Sequence, residues 1–158
     1  MLEYDCSPLE KWSGVNSLIH AWLDERQELI KLYCAMSDHQ ELDTRDTPEK
    51  VKTFCQLLLD YVSAGHFEVY GQLMEEARHL GGHGPKIAKI IYPLLGRSTE
   101  VALDFNETYI SDECCVEKKD TLKSNLSYLG EMLSDRFFLE DTLIEHVHSM
   151  HRQQMQMH

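Results

Sequence analysis

The sequence predicts an all-α fold: an antiparallel up-down four-helix bundle with a kinked third helix. Three observations point there. Four long segments carry apolar residues at spacings of three and four, the mark of a helix with one buried face. No stretch alternates apolar and polar residues for long enough to argue a strand. The connections are short and polar or glycine-rich, which suits antiparallel neighbours in a bundle.

The first segment runs from about Pro8 to Met36, with Val15, Leu18, Ile19, Trp22, Leu29, Ile30 and Tyr33 on one face. SDHQELDTRDTP follows as a polar linker. Thr47 then offers an N-cap with Pro48 at the first helical position, opening the second segment. There Val51, Cys55, Leu58, Val62, Val69, Leu73 and Leu80 share a stripe that runs on through Gly65 with no expected change of phase. GGHGP, Gly81 to Pro85, is a glycine-rich stop. The third segment begins near Pro85 and carries Ile87, Ile91, Leu95, Ala102, Phe105 and Tyr109. Pro93 interrupts it, so a kink, or a short helix followed by a longer one, is expected. ISDECCVEKKD leads into the last segment, where Leu122, Leu126, Leu129, Leu133, Phe137, Ile144 and Val147 recur in register. The end, MHRQQMQMH, is expected to fray from about residue 150.

With 158 residues, 42% of them hydrophobic, the chain is expected to form one helical domain over residues 1–158. It contains no run of about 18 apolar residues, and its start, MLEYDCSPLEKW, lacks a basic-then-apolar leader pattern. A cytoplasmic location is the expectation. The 5 cysteines include no CxxC pair, which argues against a disulfide framework or a zinc knuckle. Cys34 and Cys55 fall within apolar helical patterns and read as small buried hydrophobes. Cys114 and Cys115 read as a surface-loop pair.

The 15 Lys plus Arg stand against 27 Asp plus Glu, a formal charge of −12. That sign repels phosphate backbones, and no basic patch offsets it, so direct nucleic-acid binding is disfavoured. The same sign draws in basic protein surfaces and speeds association with them.

At about 100° per residue, with Val62 at the centre of the buried stripe, Asp60, Ala64, Phe67, Gly71 and Met74 point the opposite way. Leu57 extends this second line. Small residues alternating with Phe and Met make a groove for another helix, with Asp60 as its one charge. The plainer reading is a second core face, covered by the third helix or the linker. A further regulatory protein, or weak self-association, could also use the stripe.

His66, Glu140 and Arg26 each fall on the apolar stripe of their own helix. A buried carboxylate needs a partner, which His66 or Arg26 could supply. The sharper alternative is a metal-binding bundle, an iron or oxygen carrier using Glu140 and His66. Such a site needs several carboxylates and histidines projecting inward from different helices. His146, His148, His151 and His158, with Met150, Met155 and Met157, could chelate copper or nickel, against the plainer reading of a solvated tail. No GxSxG, phosphate loop or HExxH is present, so neither catalysis nor a cofactor is expected.

The block TFCQLLLDYVSAGHFEVY, Thr53 to Tyr70, resembles DFCQxLVDYxSAGHFxxY of the Rsd/AlgQ family of bacterial regulators. WSGVNSLIHAWLDERQEL, AKIIYPLL, EVALDFN and RFFLEDTLIE extend the resemblance, in order, over nearly the whole chain. The AlgQ branch looks the nearer. The resemblance implies an all-helical anti-sigma factor that binds region 4 of the primary sigma factor of RNA polymerase. Region 4 is a helix-turn-helix that reads the −35 promoter element, so its sequestration would shift transcription away from housekeeping promoters. The implied positions are Asp60, Ser63, His66 and Phe67 and, less firmly, Trp22. Together with the helical projection this makes Leu57, Asp60, Ser63, Ala64, Phe67, Gly71 and Met74 the expected contacts. Trp22, Arg26, His66 and Glu140 are then the expected supports. The linker from Ser37 to Asp46 and the His/Met-rich tail depart from the family pattern.

Overall fold

The three-and-four spacing is realised as helix throughout a computed structural model that describes residues 8–37, 47–111 and 119–156. The expectations for residues 38–46 of the linker, for Cys114 and Cys115, and for Met157 and His158 of the tail lie outside those residues. Helix α1 spans Pro8–Ser37 and α2 spans Thr47–Ala64. A π-helical turn, Gly65–Val69, joins α2 without a break to α3, Tyr70–Leu80. Helix α4 spans Gly84–Tyr109 and α5 spans Lys119–Gln156. No strand occurs among the described residues. The fold is all-α, with α2, the π turn and α3 forming one of the bundle's four rods.

Ring and side-chain contacts give the sense of each rod. Trp22 meets Tyr61 and Tyr33 meets Phe54, so α1 and α2 run in opposite directions. Phe54 packs on Phe105 whereas Tyr70 packs on Tyr92, which opposes α2–α3 to α4. Arg136 reaches Ser98 and Asn125 reaches Tyr109, which opposes α4 to α5. One cluster of buried side chains, from Val15 and Trp22 through Leu58 and Leu95 to Leu129 and Val147, runs through all the rods. Burial of that apolar area drives the assembly.

Gly81 and Gly82 take positive φ angles of 71° and 64°. Side-chain-bearing residues avoid that region, which is why the glycine run ends α3 sharply. Helix α4 passes through Pro93 unbroken. The alternative of a short helix followed by a longer one is therefore not what forms; buried Ile91 and Leu95 hold the segment on both sides of the ring.

Leu58, Val62, Val69 and Leu73 are all buried as expected, but the second segment is not uniformly α-helical. At the π turn the Tyr70 N–H donates to the Gly65 carbonyl, five residues back instead of four. Each such turn inserts one residue into the helical register. Gly65 sits inside it as a close-packing position: a Cβ there would lie 3.1 Å from Trp22 Cζ2 and from the Tyr70 hydroxyl.

Two further expectations are corrected. Cys34 is exposed, whereas Cys55 is buried as expected; Cys34 lies beyond the edge of the α1 stripe that Leu29, Tyr33 and Met36 turn inward. Helix α5 continues to Gln156, and His151 is buried, with Nε2 2.9 Å from Glu76 Oε2 on α3. A polar partner across the bundle holds the chain at a point where sequence alone suggests fraying.

Candidate functional site

A buried carboxylate organises the middle of the bundle. Glu140 on α5 is 1% exposed, a position that needs donors on every lone pair. The Tyr61 hydroxyl donates to its Oε1 at 2.5 Å and the Tyr70 hydroxyl to its Oε2. Arg26 Nη2 donates to Oε1 at 3.2 Å, and Arg136 Nε lies 3.3 Å from Oε2. Arg26 is itself held by Asp141 at 2.5 Å and by the Tyr61 oxygen at 3.0 Å. Arg136, wholly buried, donates Nη1 to Ser98 Oγ and Thr99 Oγ1 on α4 at 2.9 and 2.7 Å.

Burial raises the Glu140 pKa, opposed by Arg136, both tyrosine hydroxyls and Arg26. Burial likewise lifts both phenols, and the carboxylate beside them adds to the lift, so they stay protonated donors. Burial alone would pull Arg26 down, but Tyr61, Asp141 and Glu140 together raise it.

This centre corrects one expected support and adds three. Arg26 and Glu140 pair in the core, and Trp22 is buried beside them, stacked on Tyr61 at 4.8 Å with its indole N–H donating to the Tyr61 carbonyl. His66 does not join: it is exposed, on the outside of the π turn. At about 100° per residue it falls just outside the arc that Leu58, Tyr61, Val62 and Gly65 turn inward, and among the described residues no neighbouring rod covers that flank. Tyr61, Tyr70 and Arg136 were missed. Arg136 was within reach of sequence reasoning, since it stands one turn before Glu140 on the same buried stripe.

The metal reading is corrected with it. Glu140 is enclosed by two guanidiniums and two phenols, and His66 points elsewhere. Among the described residues no three His, Cys, Asp or Glu side chains gather to hold an ion.

The expected contact residues divide across the π turn. Asp60 is exposed, Leu57, Ser63 and Ala64 are half-buried, and Leu57 and Ala64 pack against the core. Beyond the insertion Gly71 is exposed and Met74 is half-buried against the core. The single straight stripe is thus interrupted. Phe67 is 79% exposed, more than any other large apolar side chain described. His66 stands beside it, ring centroids 4.9 Å apart, and also lies nearly parallel to Tyr92 of α4, 6.5 Å away. On the other flank Glu25 of α1 feels the charges of Asp60 and Glu68. Partial burial, then that repulsion, raises its pKa above 4.5.

An acidic, all-helical bundle with a neutralised polar centre and an exposed aromatic crest is the class that fold and surface define. The family model described as regulator of RNA polymerase sigma(70) subunit, Rsd/AlgQ, matches residues 1–148. The chain belongs to this family. It is 36% identical over 145 residues to the regulator of sigma D of Yersinia pseudotuberculosis, covering 86% of this chain and 82% of that protein. The protein of the same name from Yersinia enterocolitica is 34% identical over 145 residues, with 86% and 83% covered. That from Salmonella paratyphi A is 34% identical over 139 residues, with 85% and 84% covered.

Proposed function

We propose that the chain is an anti-sigma factor that binds region 4 of the primary sigma factor, keeping it from core RNA polymerase and from −35 promoter elements. The observation that carries this reading is the exposed Phe67 ring, on the same rod as the exposed Asp60, in a chain of formal charge −12. Region 4 reads DNA and so presents a basic, helical surface. Acidic charge steers such a partner in, and a desolvated aromatic anchor then holds it.

The action is stoichiometric binding, without catalysis, cofactor or direct contact with nucleic acid. Its place is the cytoplasm, where polymerase works; no described helix is long and apolar enough to cross a membrane. Asp60→Arg tests the reading by putting a positive charge against a basic partner. It should weaken capture of purified region 4 at least tenfold while far-ultraviolet circular dichroism stays unchanged. Undiminished capture by that variant would show the interface to be elsewhere. Raised salt should slow association more than it speeds release.

A further inference from the structure

Two clefts between the rods differ in chemistry. The one between α1 and α5, about 220 Å³, is walled by apolar side chains such as Leu29, Ile30, Leu133 and Phe137, and no charged side chain lines it. The other, about 160 Å³, lies between α4 and α5 and has the Asp104 carboxylate in its wall. Phe105 and Tyr109 of α4 form its floor, both buried, with ring centroids 4.7 Å apart. Tyr128 and Asn125 close it from α5, and Val101 and Thr108 complete the α4 side. We propose that this cleft binds a free primary alkylamine in its ammonium form. The charged head meets Asp104, and the carbon chain lies on Val101 and the aromatic rings. The site draws on no residue of the α2–α3 rod and goes beyond the sigma-factor reading.

The lining selects the ligand. A carboxylate beside aromatic rings attracts a cation twice, through its own charge and through the negative faces of the rings. Acceptors favour an ammonium that still carries N–H groups over a quaternary one. Besides Asp104 they include the Thr108 hydroxyl, which already donates to the Asp104 carbonyl at 2.8 Å and has lone pairs left. The polar end is fixed before a ligand arrives: Asn125 Nδ2 donates to the Tyr109 hydroxyl at 2.6 Å, and Thr121 Oγ1 meets the same hydroxyl at 2.9 Å. Groups already held in place lose little freedom on binding. Arg97 does not line the cleft; it reaches the Tyr128 hydroxyl at 3.4 Å, and Glu100 lies within electrostatic reach to offset its charge. At about 30 Å³ for each water in the liquid, a cleft of about 160 Å³ holds about five groups of that size, which fits a four-carbon amine.

The test titrates n-butylammonium chloride into the full-length protein at constant ionic strength and follows the backbone amides by NMR. Butyrate, tetramethylammonium and Nα-acetyl-lysine amide are titrated for comparison. Butylammonium should give saturable shifts confined to residues 101–109 and 121–128, tetramethylammonium should bind more weakly, and butyrate should not bind. Asp104→Asn and Tyr128→Ala should each weaken butylammonium binding about fivefold or more, while Tyr128→Phe retains it. Circular dichroism confirms that each variant keeps its helices. Asp60→Arg should bind the amine like wild type, and Asp104→Asn should capture region 4 like wild type, so failure of this site and failure of the sigma-factor reading are separable. Shifts that never saturate, or that sodium chloride reproduces, would mark a diffuse counterion atmosphere and overturn the proposal. Undiminished binding in both Asp104→Asn and Tyr128→Ala would overturn it as well. If the blocked lysine binds more tightly than butylammonium, the cleft belongs to a protein's lysine side chain and the free-amine assignment is wrong.

Discussion

Tyr61 and Tyr70 stand nine positions apart on one helical rod, yet both donate their hydroxyls to the carboxylate of Glu140. In an α-helix of about 3.6 residues per turn, nine positions are about two and a half turns, which would set the two rings on opposite sides. The π turn takes up one residue between them and brings both inward. Phe67, which faces outward at uniform α-helical phase as well, stands within the same turn.

Removing either hydroxyl should therefore be felt in stability. Tyr61→Phe and Tyr70→Phe each leave Glu140 one donor short, at about 1–3 kcal/mol each. Because both act on the same carboxylate, the double variant should depart from the sum of the singles. Urea unfolding of the four proteins in the cycle measures this.

Gly65→Ala sets helix propensity against packing. Alanine favours a helix interior by about 1 kcal/mol over glycine. Its Cβ would meet Trp22 and the Tyr70 hydroxyl at 3.1 Å, and overpacking costs about 1–3 kcal/mol. Trp22 and Tyr70 are both anchored by hydrogen bonds and give little. The variant should melt lower than wild type, with a changed tryptophan emission.

Arg26→Ala removes a guanidinium that touches Glu140, Asp141 and Tyr61 at once. Leaving a buried carboxylate short of its partner costs about 3–5 kcal/mol. Lysine restores the charge but not the fork, so Arg26→Lys should recover only part of the loss in chemical denaturation.

The Glu25 carboxyl gives a pH-dependent expectation. Its folded pKa is raised above the ordinary 4.5, by partial burial and then by Asp60 and Glu68. The folded state then holds this proton more tightly than the unfolded chain, so the contribution to stability is present below 4.5 and lost as pH rises through the raised value. Glu25→Gln never acquires the charge. It should be more stable than wild type at pH 7, and the difference should vanish toward pH 4. Thermal melts across that range decide it.

Cys34 and Cys55 should separate by reactivity, being exposed and buried respectively. Iodoacetamide followed by peptide mapping should modify Cys34 in the native protein and Cys55 only after unfolding.

Much of this molecule was determined by the sequence alone. The periodicity defined four rods, the Gly81–Pro85 stop was explicit, and Trp22, Arg26 and Glu140 were placed inward because side chains at three-and-four spacing share one face. The SAGHF block carried the family. Tertiary structure decided what periodicity assumes away. A helical projection presumes one residue count per turn, and nothing local in DYVSAGHFEVY announces that Tyr70 must reach a carboxylate on another helix. That long-range hydrogen bond, closed by Gly65 beneath Trp22, sets the register of everything after it. Cys34, His66 and His151 went astray for a kindred reason: their exposure depends on which neighbouring rod covers each flank, and that is a property of the assembled bundle.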